Sequence, residues 1–185
     1  MGDVCPWKHV WTFDNVFRGL FHNCKKIFGQ YVQSGMTVLD VGCGAGFTSL
    51  CLARMVGEKG HIISVDLQQE MLDKLQKRSV KAGFAGRIQI RRCEAGTIDV
   101  DETVDFVNAF WMVHEVPDTR EFMKQIYSCL KPGGTLLVAE PKHRVTSKAF
   151  NEMVATAKEI GLNVIDEPRI AFSRSAVFQR SDQKI

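Results

Sequence analysis

The chain has 185 residues, 45% of them hydrophobic and 24% charged. That balance suits one globular domain with a core burying roughly 70% of the unfolded surface, and it excludes a disordered or fibrous chain. The net charge of +3 is too small to imply a nucleic-acid partner, since the basic pairs Lys25-Lys26 and Arg91-Arg92 stand alone.

In chain order, the first segment differs from the rest. A single domain is expected over residues 1–185, with 1–34 as a helical cap or lid segment within it. Trp7, Trp11 and Phe13 crowd a short stretch, and Phe17, Leu20, Phe21, Cys24, Ile27 and Phe28 then follow a helical period with Asp14 as a cap. Two readings stand for it: a helix packed on the sheet with an aromatic staple, or a lid over a ligand pocket. Asp3 and Lys8 bracket aromatics rather than the apolar run of a secretory leader.

From Met36 onward, short β-branched runs alternate with helical periods, which predicts an α/β domain around a mostly parallel sheet. The predicted strands are Thr37–Val41, His61–Val65, Arg87–Arg92, Thr103–Phe110 and Thr135–Glu140. Leu50, Cys51 and Met55 mark a helix after the first strand, and Met71, Leu72, Leu75, Ser79 and Ala82 mark one after the second. Asp118 with Glu121 three residues on announces a third, carrying Phe122, Met123, Ile126, Cys129 and Leu130 and stopped by Lys131-Pro132-Gly133-Gly134. A fourth starts near Thr146 and ends at Gly161. Leu162–Asp166 and Ile170–Gln179 then read as an antiparallel hairpin closing the sheet edge. The apolar stretch from Val41 to Ala53 is glycine-rich and short of the ~20 residues that span a bilayer, so no membrane partner is expected.

The most informative stretch is Val38-Leu39-Asp40-Val41-Gly42-Cys43-Gly44-Ala45-Gly46-Phe47. A strand runs into a glycine turn and the turn into a helix, where open α/β sheets bind nucleotides. Glycine permits positive φ and close approach of a ligand to the backbone, while the helix N-terminus offers unpaired N–H groups. A dinucleotide fingerprint would need glycine at 47, where Phe47 stands, so a nicotinamide oxidoreductase is excluded. Asp40 would repel a pyrophosphate but suits a cationic amino group. Asp66, ending the second strand, can accept both hydroxyls of an unphosphorylated ribose. A ligand with a ribose, an amino-acid tail and no phosphate fits both acids, and S-adenosylmethionine is such a ligand.

On these residues the chain resembles the class I S-adenosylmethionine-dependent methyltransferases over about residues 35–180. Within them it is most similar to the small-molecule branch that includes the ubiquinone and menaquinone methyltransferases. VLDVGCGAG looks like the family's first motif, Phe106–Trp111 like its fourth-strand motif, and Leu130–Leu136 like its LKPGG turn. The resemblance implies a doubly wound, mostly parallel seven-stranded sheet with a C-terminal antiparallel hairpin, and S-adenosylmethionine as cofactor. It implies Asp40, Gly42, Cys43, Gly44, Gly46, Asp66, Leu67, Glu94, Ala95 and Phe110 as cofactor-binding residues, with Asp66 at the ribose, Glu94 and Ala95 where the family faces the adenine amino group, and Phe110 beneath the methionine part.

Methyl transfer asks the protein to align an acceptor and, for some acceptors, to take its proton. His114, just after the fourth strand, is the candidate base, against a purely structural histidine; Glu115 is either an orienting group or a surface acid. Candidate substrate contacts are Trp11 and Phe13 as apolar walls, Glu140 at the end of the fifth strand, and Arg174 in the last strand. Glu140 could instead pair with Lys142 or Arg144, and Arg174 could be a surface group on an edge strand. Cys5, Cys24, Cys43, Cys51, Cys93 and Cys129 contain no CxxC pair and read as reduced thiols, hence a cytoplasmic location. Only Cys5, Cys24 and Cys93 could serve a soft metalloid substrate, as in arsenite methyltransferases, and no metal site is expected. The expected function is methyl transfer to a small molecule; the alternative is a non-catalytic protein that binds the cofactor as a sensor or partner subunit. The sequence carries no sign of an oligomeric state.

Overall fold

The computed structural model describes residues 22–181. The elements are α1 (Cys24–Phe28), β1 (Thr37–Val41), α2 (Phe47–Val56), β2 (His61–Asp66), α3 (Gln69–Lys81), β3 (Ile88–Arg92), β4 (Val104–Phe110), a 3-10 turn (Val113–Glu115), α4 (Thr119–Cys129), β5 (Leu130–Pro141), α5 (Ser147–Ile160), β6 (Leu162–Asp166) and β7 (Ser173–Arg180). The seven strands lie in the order β3-β2-β1-β4-β5-β7-β6. The first five are parallel, and β7 pairs antiparallel with both β5 and β6. This is the expected doubly wound sheet, with the C-terminal hairpin inserting β7 beside β5 and leaving β6 at the edge.

Alternation along the strands sorts side chains to two faces. Leu39, Val41, Ile63, Val65, Val107 and Ala109 pack under α4 and α5 with Phe122, Met123, Ile126, Phe150 and Ala157. Val38, Ile62, Phe106 and Leu137 pack under α1, α2 and α3 with Phe28, Leu52, Val56 and Leu75. Helix starts follow capping chemistry. Asp118 accepts from the Glu121 amide at 3.0 Å, and Thr146 from the Ala149 amide at 3.2 Å. Gly161 ends α5 with a φ of 101°, a left-handed position that glycine adopts without strain.

Three differences from the sequence reading matter. A continuous helix through 17–28 is not what forms: α1 starts at Cys24, with Asn23 extended and capping the Lys26 amide. The rest of that prediction, with Asp14, Trp7, Trp11 and Phe13, lies outside the described residues. The Lys131–Gly134 turn does end α4, but it is looped out within β5: Leu130 pairs with Val104 and Thr135 already pairs with Phe106. The thiols are not all reduced, because Cys24 and Cys51 form a disulfide between α1 and α2. No CxxC spacing announces that pair; packing of two helices on the same sheet face brings it together.

Candidate active site

The strand ends of the parallel half open on one cavity of about 690 Å³, within the range that holds drug-sized ligands. One side of it is made by backbone. Gly42, Gly44 and Gly46 have φ of 65°, 53° and 90°, so the turn after β1 is a run of alternating left-handed positions. The three are not equivalent. A Cβ on Gly42 would meet Met112 at 2.8 Å and one on Gly46 would meet Leu75 at 2.3 Å, so both are fixed by packing. A Cβ on Gly44 would meet nothing within 4 Å, and Gly44 lines the cavity. The space beside its backbone is what a ligand lying against this turn would fill.

The two acids of the sequence reading part company here. Asp66 borders the cavity while one oxygen accepts the Gly44 amide at 2.8 Å and the other the Gln68 amide at 2.9 Å. Burial raises its pKa, partly offset by those amides. A carboxylate has about four lone-pair sites, so capacity remains for a ribose diol. Asp40 does not border the cavity. It is 1% exposed and accepts Thr48 Oγ1 at 2.8 Å, Ser49 Oγ at 2.5 Å and Asn108 Nδ2 at 2.7 Å. It ties the first turn of α2 to β4, behind the glycine turn, rather than facing a ligand's amino group.

Cys43 and Leu67 line the cavity, as do Glu94, Ala95 and Phe110. The Cys43 amide is held by the Val65 carbonyl at 3.0 Å, and burial pushes its thiol well up, with Asp40 and Asp66 adding to the shift. Arg78, reaching back from α3, donates to the Ala45 carbonyl at 2.9 Å and holds the turn from below.

The opposite wall comes from the loop after β4 and the loop after β5. Trp111, at a φ of 63°, turns the chain out of β4; its amide donates to the Ala139 carbonyl at 2.7 Å and its indole to Ser173 Oγ at 2.8 Å. His114 lines the cavity, with Nε2 3.8 Å from Glu115 Oε1. Glu140, 2% exposed, does not line it. Its carboxylate accepts the Val113 amide at 3.0 Å and the His114 amide at 3.1 Å, and lies 2.6 Å from His114 Nδ1. Neither a substrate contact nor a pairing with Lys142 or Arg144 is what this carboxylate makes. Arg174 donates to the Val145 carbonyl at 3.0 Å and is not part of the cavity wall. Trp11 and Phe13 lie outside the described residues.

The structure adds residues that sequence reasoning passed over: Gln68, Met112, Pro117, His143 and Arg144 also border the cavity. Their shared signal is position, in the first residues beyond β2, β4 and β5. Of the three thiols considered for a soft substrate, Cys24 is oxidised, Cys5 lies outside the described residues and Cys93 borders the cavity. Among the described residues no cluster of His, Cys, Asp or Glu is placed to hold a metal ion. Among them, too, no helix is long and apolar enough to cross a membrane.

An open sheet of this strand order, with a glycine turn after β1, an acid ending β2 and one cavity over the strand ends, defines an S-adenosylmethionine-dependent methyltransferase domain. The chain belongs to that family: its methyltransferase-domain profile matches residues 32–177. The structure is similar to a SAM-dependent methyltransferase from Aquifex aeolicus, with a TM-score of 0.85 and 26% identity over 95% of this chain and 98% of that one. Among curated relatives, demethylmenaquinone methyltransferase of Lactobacillus johnsonii is 31% identical over 77% of this chain and 62% of its own. The ubiquinone/menaquinone biosynthesis C-methyltransferase UbiE of Cellvibrio japonicus is 34% identical over 65% and 50% respectively. The chain thus spans about half to three-fifths of the length of these two relatives.

The residues present fit S-adenosylmethionine, which this family uses. The open side of Gly44 admits it against the backbone, and Asp66 has lone pairs to spare for its ribose. The wall beside Glu94 and Ala95 is continuous with both.

Proposed function

We propose that this protein transfers a methyl group from S-adenosylmethionine to a small-molecule acceptor, and that His114 takes the acceptor's proton. The observation that carries this reading is a single cavity joining the Gly44–Asp66 wall to the imidazole of His114. When bound, the cofactor supplies an electrophilic methyl group on sulfur, with a neutral leaving group. The chain's own part is to hold and exclude. Gly42, Gly44 and Gly46 shape the turn, Asp66 and Leu67 take the ribose side, Glu94 and Ala95 the adenine side, and Phe110 the floor beneath the tail. The acceptor then lies between Trp111, Met112 and the His114 ring. Holding two reactants in line is worth ~7–11 kcal/mol of barrier, and a placed base adds ~10²–10⁴-fold in rate.

A small acceptor is favoured because the cavity is mostly apolar and the weak net charge offers no nucleic-acid track. A cytoplasmic setting is part of the same proposal, resting on the free thiols Cys43, Cys93 and Cys129, with the Cys24–Cys51 disulfide as the feature that speaks against it.

The test is transfer of a radiolabelled methyl group to a panel of phenols, carbon acids, thiols and amines, beside calorimetry with S-adenosylmethionine. Turnover with a protic acceptor, reduced ~10²–10⁴-fold in His114→Gln at unchanged cofactor affinity, supports the proposal. Cofactor binding with no transfer to any acceptor would leave the sensor or partner-subunit reading in its place.

A further inference from the structure

We infer that Glu140 is the positioning residue that sets the tautomer of His114, so that Nδ1 carries the hydrogen and Nε2 keeps its lone pair for the acceptor. This rests on the proposed role of His114 for its use in the reaction, but the placement of the proton stands on geometry alone.

Glu140 sits near the end of β5, 26 residues from His114 in sequence, and is almost fully buried. Its two oxygens face three nitrogen groups of one short turn. Oε1 accepts the Val113 amide, and Oε2 accepts the His114 amide and lies 2.6 Å from His114 Nδ1. Two of those nitrogens are backbone amides, which can only donate, so the carboxylate is held as an acceptor on both oxygens. An ionised carboxylate has no hydrogen to give. With Glu140 as that ionised acceptor, the 2.6 Å contact assigns the hydrogen to the third nitrogen, Nδ1, and the hydrogen bond that one ring nitrogen makes fixes the state of the other. Nε2 is left as the basic nitrogen, on a ring that lines the cavity.

The frame around the pair is rigid. Trp111 is pinned at the start of the loop by the Ala139 carbonyl and by Ser173, on the strands that flank and carry Glu140. Glu115 Oε1 is 3.8 Å from Nε2, and the other charged or titratable groups on the same cavity wall include Asp66, Glu94, Asp118, Glu121, His143 and Arg144. Glu115, at 3.8 Å, is too far for a direct hydrogen bond to fix the tautomer. A carboxylate that only orients and never itself takes the proton is the role known from hydrolase triads, where the amide variant inverts the tautomer.

Glu140 could in principle do no more than cap two amides of the turn, and the isosteric amide separates the two roles. In Glu140→Gln one oxygen becomes an NH₂ group. Facing the Val113 amide it would leave two donors opposed; facing Nδ1 it demands an acceptor there and drives the ring to the Nε2–H form. The experiment is ¹⁵N NMR of the imidazole in uniformly labelled protein saturated with S-adenosylhomocysteine, in wild type, Glu140→Gln and Glu140→Asp. We expect the Nδ1–H pattern for His114 in wild type, its loss in the glutamine variant and its return in the aspartate variant. Rates with whichever panel acceptor turns over should fall ~10²–10⁴-fold in the glutamine variant, recover in part in the aspartate variant, and leave the apparent cofactor KM within about threefold. An Nε2–H pattern in wild type overturns the inference, as does a folded glutamine variant with an unchanged pattern. Should the glutamine variant not fold, the wild-type spectrum decides alone. Because the spectrum needs no acceptor, a protein that shows the Nδ1–H pattern but transfers no methyl group sinks the proposed function and leaves this assignment standing.

Discussion

The cavity has two halves built in different ways. At the ends of β1 and β2 one stretch of the cavity wall is a backbone turn: Gly42 and Gly44 at left-handed φ, with Gly46 packed against Leu75 and the turn braced by Asp40 and Arg78. At the ends of β4 and β5 it is side chains on a short turn, held by a carboxylate from another strand. A surface made by backbone must be written contiguously, because each φ belongs to its own residue. One made by side chains can draw its parts from anywhere the sheet brings together. Asp40 and Asp66 part company within one half: Asp66 ends β2 and reaches the cavity, while Asp40, one residue before the end of β1, is buried away from it.

The sharpest way to break that comparison is Asp40→Ala. Its carboxylate receives Thr48, Ser49 and Asn108 in a dry site, with bonds to a charged group worth ~1.5–3 kcal/mol each and not additive. The variant should lose about 3–5 kcal/mol of stability in urea unfolding. A loss below about 1 kcal/mol would mean the acid is not the brace its geometry describes.

Next in size is the staple between α1 and α2. The disulfide joins Cys24 to Cys51 across 27 residues, and chain-entropy arguments put such a loop at roughly 3 kcal/mol. Cys51→Ser should lower the unfolding free energy by about that amount, and a dithiol reductant should do the same to wild type only. A wild-type melting curve indifferent to reductant would return the chain to the all-thiol state expected from its cysteine spacing.

The third comparison sets Asp66→Ala against Gly44→Ala, two changes meant to spare the fold. The first removes hydrogen bonds to a charged acceptor and should weaken S-adenosylmethionine binding by ~1.5–3 kcal/mol in calorimetry. The second puts a methyl group into the open space beside the turn, at a φ of 53° that costs ~1–2 kcal/mol for a residue with a Cβ. Unchanged affinity in both folded variants would move the cofactor away from this wall.

What was legible in the sequence follows the same line. β1 was readable to the residue, the cap Asp118 by its chemistry and the start of α5 near Thr146 by its apolar period, because periodicity and capping are local. The glycine turn and Asp66 were readable for the same reason, and Gly42, Gly44 and Asp66 do line the cavity. Glu140 was seen as a strand-end acid but not as the partner of His114, since nothing within either segment encodes the β4–β5 register that joins them. The Cys24–Cys51 pair and the extended Asn23 were both missed: an apolar period said helix through that stretch, whereas Asn23 caps the start of α1, and the two sulfurs meet only through the packing of α1 and α2.

The smallest expected effect is a pH dependence carried by two thiols, Cys93 on the cavity wall and Cys129 in the core. Burial pushes Cys129, the last residue of α4, up to about 11 from 9.0, and Cys93, on the cavity wall, also to about 11. A thiol whose folded value lies above its unfolded one keeps its proton while the unfolded chain gives its own up. Stability is therefore full below about pH 9 and falls as the pH rises toward about 11. For Cys129, at ~1.36 kcal/mol per unit, the loss between about pH 8 and about pH 10.5 is on the order of 2 kcal/mol. Cys93 is more open to water and should contribute less. Unfolding free energies at the two pH values, in wild type, Cys129→Ala and Cys93→Ala, isolate each share, because any packing cost of the alanine cancels in the difference. The alkaline loss should shrink most in Cys129→Ala. An equal loss in all three proteins would show that neither thiol is shielded from water as its place in the fold requires.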